Sequence, residues 1–212
     1  MALTHEFGRG DDGLAGVVDR LGVTMRFAKH AQIFVQDDPV ELMFRVVEGA
    51  VRTTRLTCDG RRQVGGFYYP GELFGLEIGE ARRFSAEAMV ETVVRAVRRS
   101  ALRGTPAEGR FERDLLRAVA AELDRTQDHL LLLGRKTAQE KVASFLQHVA
   151  ERAGRPAVEL PMSRQDMADF LGLTIETVSR MLTQLQSSNV VEFISCRRFR
   201  VCNGPALDRL AA

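Results

Sequence analysis

The sequence predicts an α+β protein made of an N-terminal antiparallel β-roll, a long helix and a C-terminal winged helix-turn-helix. Three observations carry this. Short apolar runs punctuated by turn residues extend from about Phe27 to Val97, the pattern changes to helical spacing after Thr105, and two short capped helices joined at Gly172 precede a hairpin. The expected boundaries are 1–105 for the roll, 106–134 for the long helix and 135–212 for the winged helix-turn-helix. A chain of 212 residues has room for two modest domains, at roughly 100 to 200 residues each.

Composition narrows the class. The chain is 45% apolar and 27% charged, as expected of a soluble globular protein rather than a disordered or fibrous one. No apolar run approaches the length of a membrane span. The N-terminal stretch MALTHEFGRGDDG has acidic residues and no signal-like apolar core, so a cytoplasmic location without membrane association is expected. Cys58, Cys196 and Cys202 are odd in number and form no C-x-x-C pair, which argues against a disulfide framework or a four-thiolate metal site. Residues 135–212 hold 11 Lys/Arg against 8 Asp/Glu, a tilt that permits nucleic-acid binding without requiring it.

In chain order, the strand-like pieces are QIFVQDD, MFRVVEGAVRTTRLTCDGRR, VGGFYYPGE and AMVETVVRAV. Asp59-Gly60 predicts a two-residue hairpin turn, since both residues tolerate positive φ, and Gly49, Gly71, Gly75 and Gly79 punctuate the rest. Even spacing of short strands suggests a barrel or roll whose strands pair antiparallel. Thr105-Pro106-Ala107-Glu108 reads as a helix start with a Thr cap and Pro at the first position. Beyond it, Leu116, Val119, Leu123, Thr126, Leu130 and Leu133 recur at alternating spacings of three and four, the seam of a two-stranded coiled coil. Periodicity alone fits equally a helix packed on its own roll. Gly134 is an expected stop or hinge, after which KTAQEKVASFLQHVA resumes as a separate amphipathic helix.

Ser163 can cap a short helix with Asp166 at its third position, Gly172 allows a sharp turn, and Thr174 can cap a second helix. On that helix Val178, Leu182 and Leu185 form an apolar stripe, which leaves Glu176, Ser179, Arg180 and Thr183 on another face. Two short helices joined in this way make a helix-turn-helix. The run VVEFISCRRFRVC then reads as a wing hairpin turning around Ser195 to Arg198.

These residues resemble the helix-turn-helix of the CRP/FNR superfamily of dimeric bacterial transcription regulators, at Ala168, Leu171, Gly172, Thr174, Arg180 and Leu185 among others. The resemblance extends through VVEGAVR, DGRRQVGGF, GELFGLE and the leucine-rich helix, so it covers nearly the whole chain. It implies a cyclic-nucleotide-binding-like roll, a dimer interface along the leucine seam, and double-stranded DNA, a second copy and RNA polymerase as partners. Within the superfamily, Glu176-Thr177-Val178-Ser179-Arg180 resembles the E-x-x-S-R pattern of the FNR and FixK branches, which implies a TTGAT half-site repeated as ATCAA. Arg180 can pair bidentately with guanine O6 and N7, and Glu176 can accept from the amino group of cytosine or adenine. By the same resemblance Ser179 joins them in reading bases, while Arg164, Gln165, Thr174 and Thr177 contact phosphates. Thr174 reads equally as a cap alone. Arg197 and Arg198 on the wing add backbone contacts or are simply solvated.

Sensing chemistry is where the chain departs from its superfamily. An FNR-type cluster needs four thiolates, three near the N-terminus, and no cysteine precedes Cys58. Cyclic-nucleotide binding uses a Gly-Glu-Leu turn, present as Gly71-Glu72-Leu73, and an Arg-Ser pair on the phosphate. Here Phe84 stands before Ser85 in the place of that arginine, so Glu72 reads as a turn residue. His5, His30, His129 and His148 match no haem-ligand pattern. No cofactor is therefore expected. The chain most resembles the FixK type, an activator acting downstream of a separate oxygen sensor on microaerobic or nitrogen-fixation genes. A regulator of the same architecture gated by a small molecule in the roll is the alternative. No catalytic constellation is present, so an enzyme is not expected. Cys196, beside the expected DNA surface, is a candidate redox site or else an inert half-buried thiol.

Overall fold

The computed structural model describes residues 13–102, 108–154 and 157–212. The helix start expected at Thr105-Pro106 lies outside the described residues. The chain divides into two compact units, one of residues up to 55 and 65–124, the other of residues 56–64 and 125–212.

The first unit opens with helix α1 (Leu14–Leu21) and continues through strands β1 (Val23–Phe27), β2 (Gln32–Phe34), β3 (Leu42–Glu48), β4 (Val51–Leu56), β5 (Arg62–Tyr68), β6 (Leu73–Phe74), β7 (Ser85–Ala88) and β8 (Thr92–Arg98). A 3-10 turn, Arg99–Leu102, follows. Two four-stranded sheets result, ordered β1-β8-β3-β6 and β2-β7-β4-β5. The long β3–β8 pair sets the register, with Met43 opposite Val97 and Phe44 opposite Ala96, until an irregularity between Val46 and Glu48. Alternation then sends Phe44, Val46, Val94 and Ala96 to the inside, where they meet Phe34, Phe74 and Tyr68. The Phe44 and Phe74 rings stack at 5.1 Å between centroids, and each such buried side chain contributes roughly 1.5 to 3 kcal/mol. On the far side of β3 and β8, Met43 and Val97 pack with Leu14, Val17 and Val18 of α1 and with Phe111 and Ala118 of helix α2 (Glu108–Arg135).

The second unit contains the end of α2, helix α3 (Ala138–Ala153), strand β9 (Ala157–Glu159), helices α4 (Arg164–Leu171) and α5 (Ile175–Ser187), strands β10 (Val191–Ser195) and β11 (Arg198–Val201), and helix α6 (Gly204–Ala211). Val142 and Leu146 of α3, Met167 and Leu171 of α4, Leu182 and Leu185 of α5, and Phe199 and Leu207 form its core. The wing hairpin β10–β11 pairs Phe193 with Phe199, and β9 adds a third strand in the order β10-β11-β9.

Two local expectations change. The Asp59-Gly60 turn is not a two-residue loop with both residues at positive φ; residues 57–61 link β4 to β5, Gly60 alone takes positive φ, and its amide donates to the Thr57 carbonyl at 2.9 Å. Asp59 does not take positive φ, and its carboxylate accepts from the Thr57 hydroxyl and from Arg61, whose Nε donates at 2.6 Å. Gly134 is not the stop. The helix runs through Arg135, Gly134 lies inside it with open space around its Cα, and the break falls at Lys136, where Thr137 caps α3 through a reciprocal box with Glu140.

Candidate nucleic-acid interface

The helix-turn-helix is built by its caps. Ser163 accepts from the Asp166 amide at 3.1 Å, while Asp166 Oδ2 accepts from the Ser163 amide at 2.9 Å, so the first orphan donors of α4 are satisfied reciprocally. Gly172 ends α4 at φ +61°, the left-handed conformation that a Cβ disfavours. Two residues later Thr174 caps α5, accepting from the Thr177 amide at 3.2 Å. Val178, Leu182 and Leu185 are buried, which fixes the rotation of α5 and turns Glu176 and Arg180 to solvent.

Glu176 and Arg180 stand four residues apart on this exposed face, and Arg180 makes no hydrogen bond or ion pair with the described residues. A hydrogen bond from its own amide, with a second from the Thr174 hydroxyl, holds the Glu176 carboxyl below the usual glutamate range. The carboxylate is thus purely an acceptor near neutral pH. Ser179 is half-buried, and its Oγ accepts from Arg164 Nη1 at 3.3 Å. This contact ties an expected base reader on α5 to an expected phosphate contact on α4. Arg164, Gln165 and Thr174 are exposed and Thr177 is half-buried, all around the α4 and α5 N-termini. Such termini present free amides and positive dipole ends to anions.

Arg197 and Arg198 are exposed at the tip of the wing. Cys196 is exposed too, unlike the half-buried thiol of the inert reading, and lines a cavity of about 170 Å³ with Met162, Arg164, Met167, Phe193 and Arg197 among its walls. Cys58 and Cys202 are also exposed and free. One feature of this surface escaped the sequence reading. Arg62 bonds both Asp166 and Asp169 of α4, at 2.7 Å each. Only the DGRR run itself hinted at a special hairpin.

Along α2, Leu116, Leu123 and Leu130 are 67%, 56% and 69% exposed, and Thr126 is exposed as well. Val119 is half-buried against the core of the first unit, and Leu133 is half-buried near Gly172. Four of the six seam residues therefore leave their surface uncovered within one chain.

In the roll, Phe84 stands directly before Ser85. Phe84 packs so closely on Gly65 that a Cβ there would lie 2.6 Å from the ring. The Ser85 hydroxyl accepts from the Gln36 amide at 2.9 Å, and Glu72 accepts from the Tyr69 amide at 2.8 Å, as a turn residue does. Arg82 points inward, donating to Glu77 at 2.7 Å and stacking on Phe34 at 4.1 Å. Two of the histidines are engaged by the protein itself: His30 meets Glu87 at 3.1 Å and His129 meets the Phe170 carbonyl at 2.8 Å. No helix among the described residues is long and apolar enough to cross a membrane.

Family models match over much of the chain. Residues 24–106 match a cyclic nucleotide-binding domain, and residues 140–210 a Crp-like helix-turn-helix domain. The nitrogen fixation regulation protein FixK of Azorhizobium caulinodans is 48% identical over 203 residues, covering 92% of this chain and 82% of that protein. The transcriptional activatory protein AadR of Rhodopseudomonas palustris is 37% identical over 200 residues, covering 92% and 83%. The solved structure of FixK2 from Bradyrhizobium japonicum superposes with a TM-score of 0.87 at 43% identity, covering 91% of this chain and 98% of that one. With the fold, the helix-turn-helix and relatives of this identity and coverage in agreement, the chain belongs to the CRP/FNR family of transcription regulators, in its FixK branch, and is not an enzyme.

Proposed function

We propose that the chain is a transcription activator that binds a TTGAT-N4-ATCAA-like palindrome as a homodimer, without iron-sulfur cluster, cyclic nucleotide or other cofactor. Glu176, Ser179 and Arg180 read bases from the major groove. Arg164, Gln165, Thr174 and Thr177 hold phosphates, with Arg197 and Arg198 adding backbone contacts from the wing. The observation that carries this reading is the exposed Glu176–Arg180 pair on a helix whose opposite face is locked in the core. In division of labour, residues 1–105 form a sensor-like roll, 106–134 the dimerisation helix along Leu116, Val119, Leu123, Thr126, Leu130 and Leu133, and 135–212 the DNA-binding domain. RNA polymerase is the remaining partner, and the cytoplasm the site of action. The names of the relatives support control of nitrogen-fixation genes, and AadR supports activation. Cys196 is a candidate redox control point, since oxidation there adds bulk and charge beside Arg164 and Arg197.

The test is equilibrium binding of the purified protein to this duplex, with no effector added, against a scrambled duplex; equal affinities would sink the proposal. Arg180→Ala should relax selectivity at the guanine pair by about 1 to 3 kcal/mol. Arg164→Ala should instead weaken all sequences alike and lower the salt slope by about one. Uniform loss in both variants would refute the division of roles. The match to a cyclic nucleotide-binding domain favours a second reading, gating by a ligand in the roll. Calorimetric binding of cAMP or cyclic-di-GMP that also tightens DNA affinity would establish it.

A further inference from the structure

The hairpin tip between β4 and β5, residues 56–64, groups with the unit that holds α4 and α5. Arg62, the first residue of β5, donates from Nη2 to Asp166 Oδ1 and from Nε to Asp169 Oδ2, both at 2.7 Å. A planar guanidinium spanning two carboxylates fixes their relative position in a way that a lysine point charge does not. Both oxygens of each carboxylate are engaged. The other oxygen of Asp166, a side chain only 2% exposed, accepts from the Ser163 amide and hydroxyl at 2.9 and 2.8 Å. The other oxygen of Asp169 accepts from Gln165 Nε2 at 2.7 Å.

We propose that Arg62 is a positioning residue for DNA binding, which through Asp166 and Asp169 sets the first turn of α4 and aims the Gln165 amide at the phosphate backbone. This role rests on the DNA-binding reading above. With one amide proton of Gln165 held by Asp169, the second is left in a fixed direction for an anionic oxygen. The arginine also offsets charge. Without it, the buried Asp166 and largely buried Asp169 carboxylates lose the arginine that spans them, and their charge near the start of α4 disfavours phosphates. Arg61 is the natural control. It adjoins Arg62 and carries the same charge, yet its side chain is 84% exposed and among the described residues it pairs locally with Asp59.

Phosphate-ethylation interference on the TTGAT-N4-ATCAA duplex with the full-length protein tests this. Arg62→Gln should bind about tenfold more weakly, on the scale of a charged hydrogen bond lost. It should lose interference at the same phosphates as Gln165→Ala and keep the guanine selectivity that depends on Arg180. Arg62→Lys should recover part of the pattern, and Arg61→Gln should match the unsubstituted protein. Asp169→Ala, which leaves the Arg62–Asp166 pair in place, should lose the same phosphates; it decides the question if Arg62→Gln does not fold. A wild-type phosphate pattern in both variants, or a loss spread evenly over every phosphate and base, would overturn the positioning role. Unsubstituted protein that shows no selectivity for the duplex would overturn the DNA-face reading, and this role with it.

Discussion

His129 sits on α2 with its ring stacked on Phe170 at 4.0 Å between centroids and its Nε2 donating to the Phe170 carbonyl at 2.8 Å. Burial disfavours the imidazolium and pushes its pKa below the ordinary 6.5; the Phe170 carbonyl acts in the opposite direction, and the positive charge of Lys141 adds to the depression. An imidazole depressed by folding is protonated first in the unfolded chain. The stability it contributes is therefore fully present above about pH 6.5 and is lost as pH falls through the folded-state value. Urea midpoints should drop between pH 7.5 and pH 5.5, and His129→Phe, which keeps an aromatic ring over Phe170, should flatten that drop. An equal drop in the variant would assign it to other groups.

At the scale of elements, what could be read from sequence depended on how local the cause was. Ser163 with Asp166, Gly172 and Thr174 are neighbours in sequence, so α4, the turn and α5 fall where their caps place them. The Val178, Leu182 and Leu185 stripe likewise reports burial through helical period alone. Helix α6 does carry a local signal, with Asn203 accepting from the Ala206 amide at 3.1 Å and Pro205 in the first turn, but its eight residues are too few to stand out by helical period. Helix α1 and strand β9 have no comparable signal; they are eight and three residues long, and packing with distant elements decides their state. The Arg62 network was illegible for the same reason, since its partners lie 104 and 107 positions away. Where the cause is local, a substitution has a local cost. Gly172→Ala must hold a Cβ in left-handed backbone, with Leu133 at 3.4 Å, and should lower stability by about 1 to 2 kcal/mol. Urea denaturation should show a lower midpoint at an unchanged slope. An unchanged midpoint would mean that the turn relaxes away from this geometry.

For the whole molecule, α2 reconciles two readings of the leucine pattern that periodicity leaves equal. Phe111, Leu115, Ala118 and Val119 pack into the core of the first unit, so the helix does rest on its own roll. Leu116, Leu123 and Leu130 occupy a different face and recur every seven residues with more than half of each side chain exposed. A stripe of this kind is covered economically by its own copy across a two-fold axis, which is also the symmetry of a palindrome. Leu123→Arg places a charge in the middle of that stripe while touching nothing in the chain's own core. Circular dichroism and the urea slope per chain should stay close to those of the unsubstituted protein, while sedimentation should report a single-chain mass. Affinity for the full palindrome should then fall by at least about 100-fold, because two linked half-site contacts become one. Affinity for an isolated half-site should change little, and that contrast separates a lost partner from a damaged reading head. A variant that stays dimeric, or one that loses half-site and palindrome binding equally, would move the dimer interface away from this face of α2.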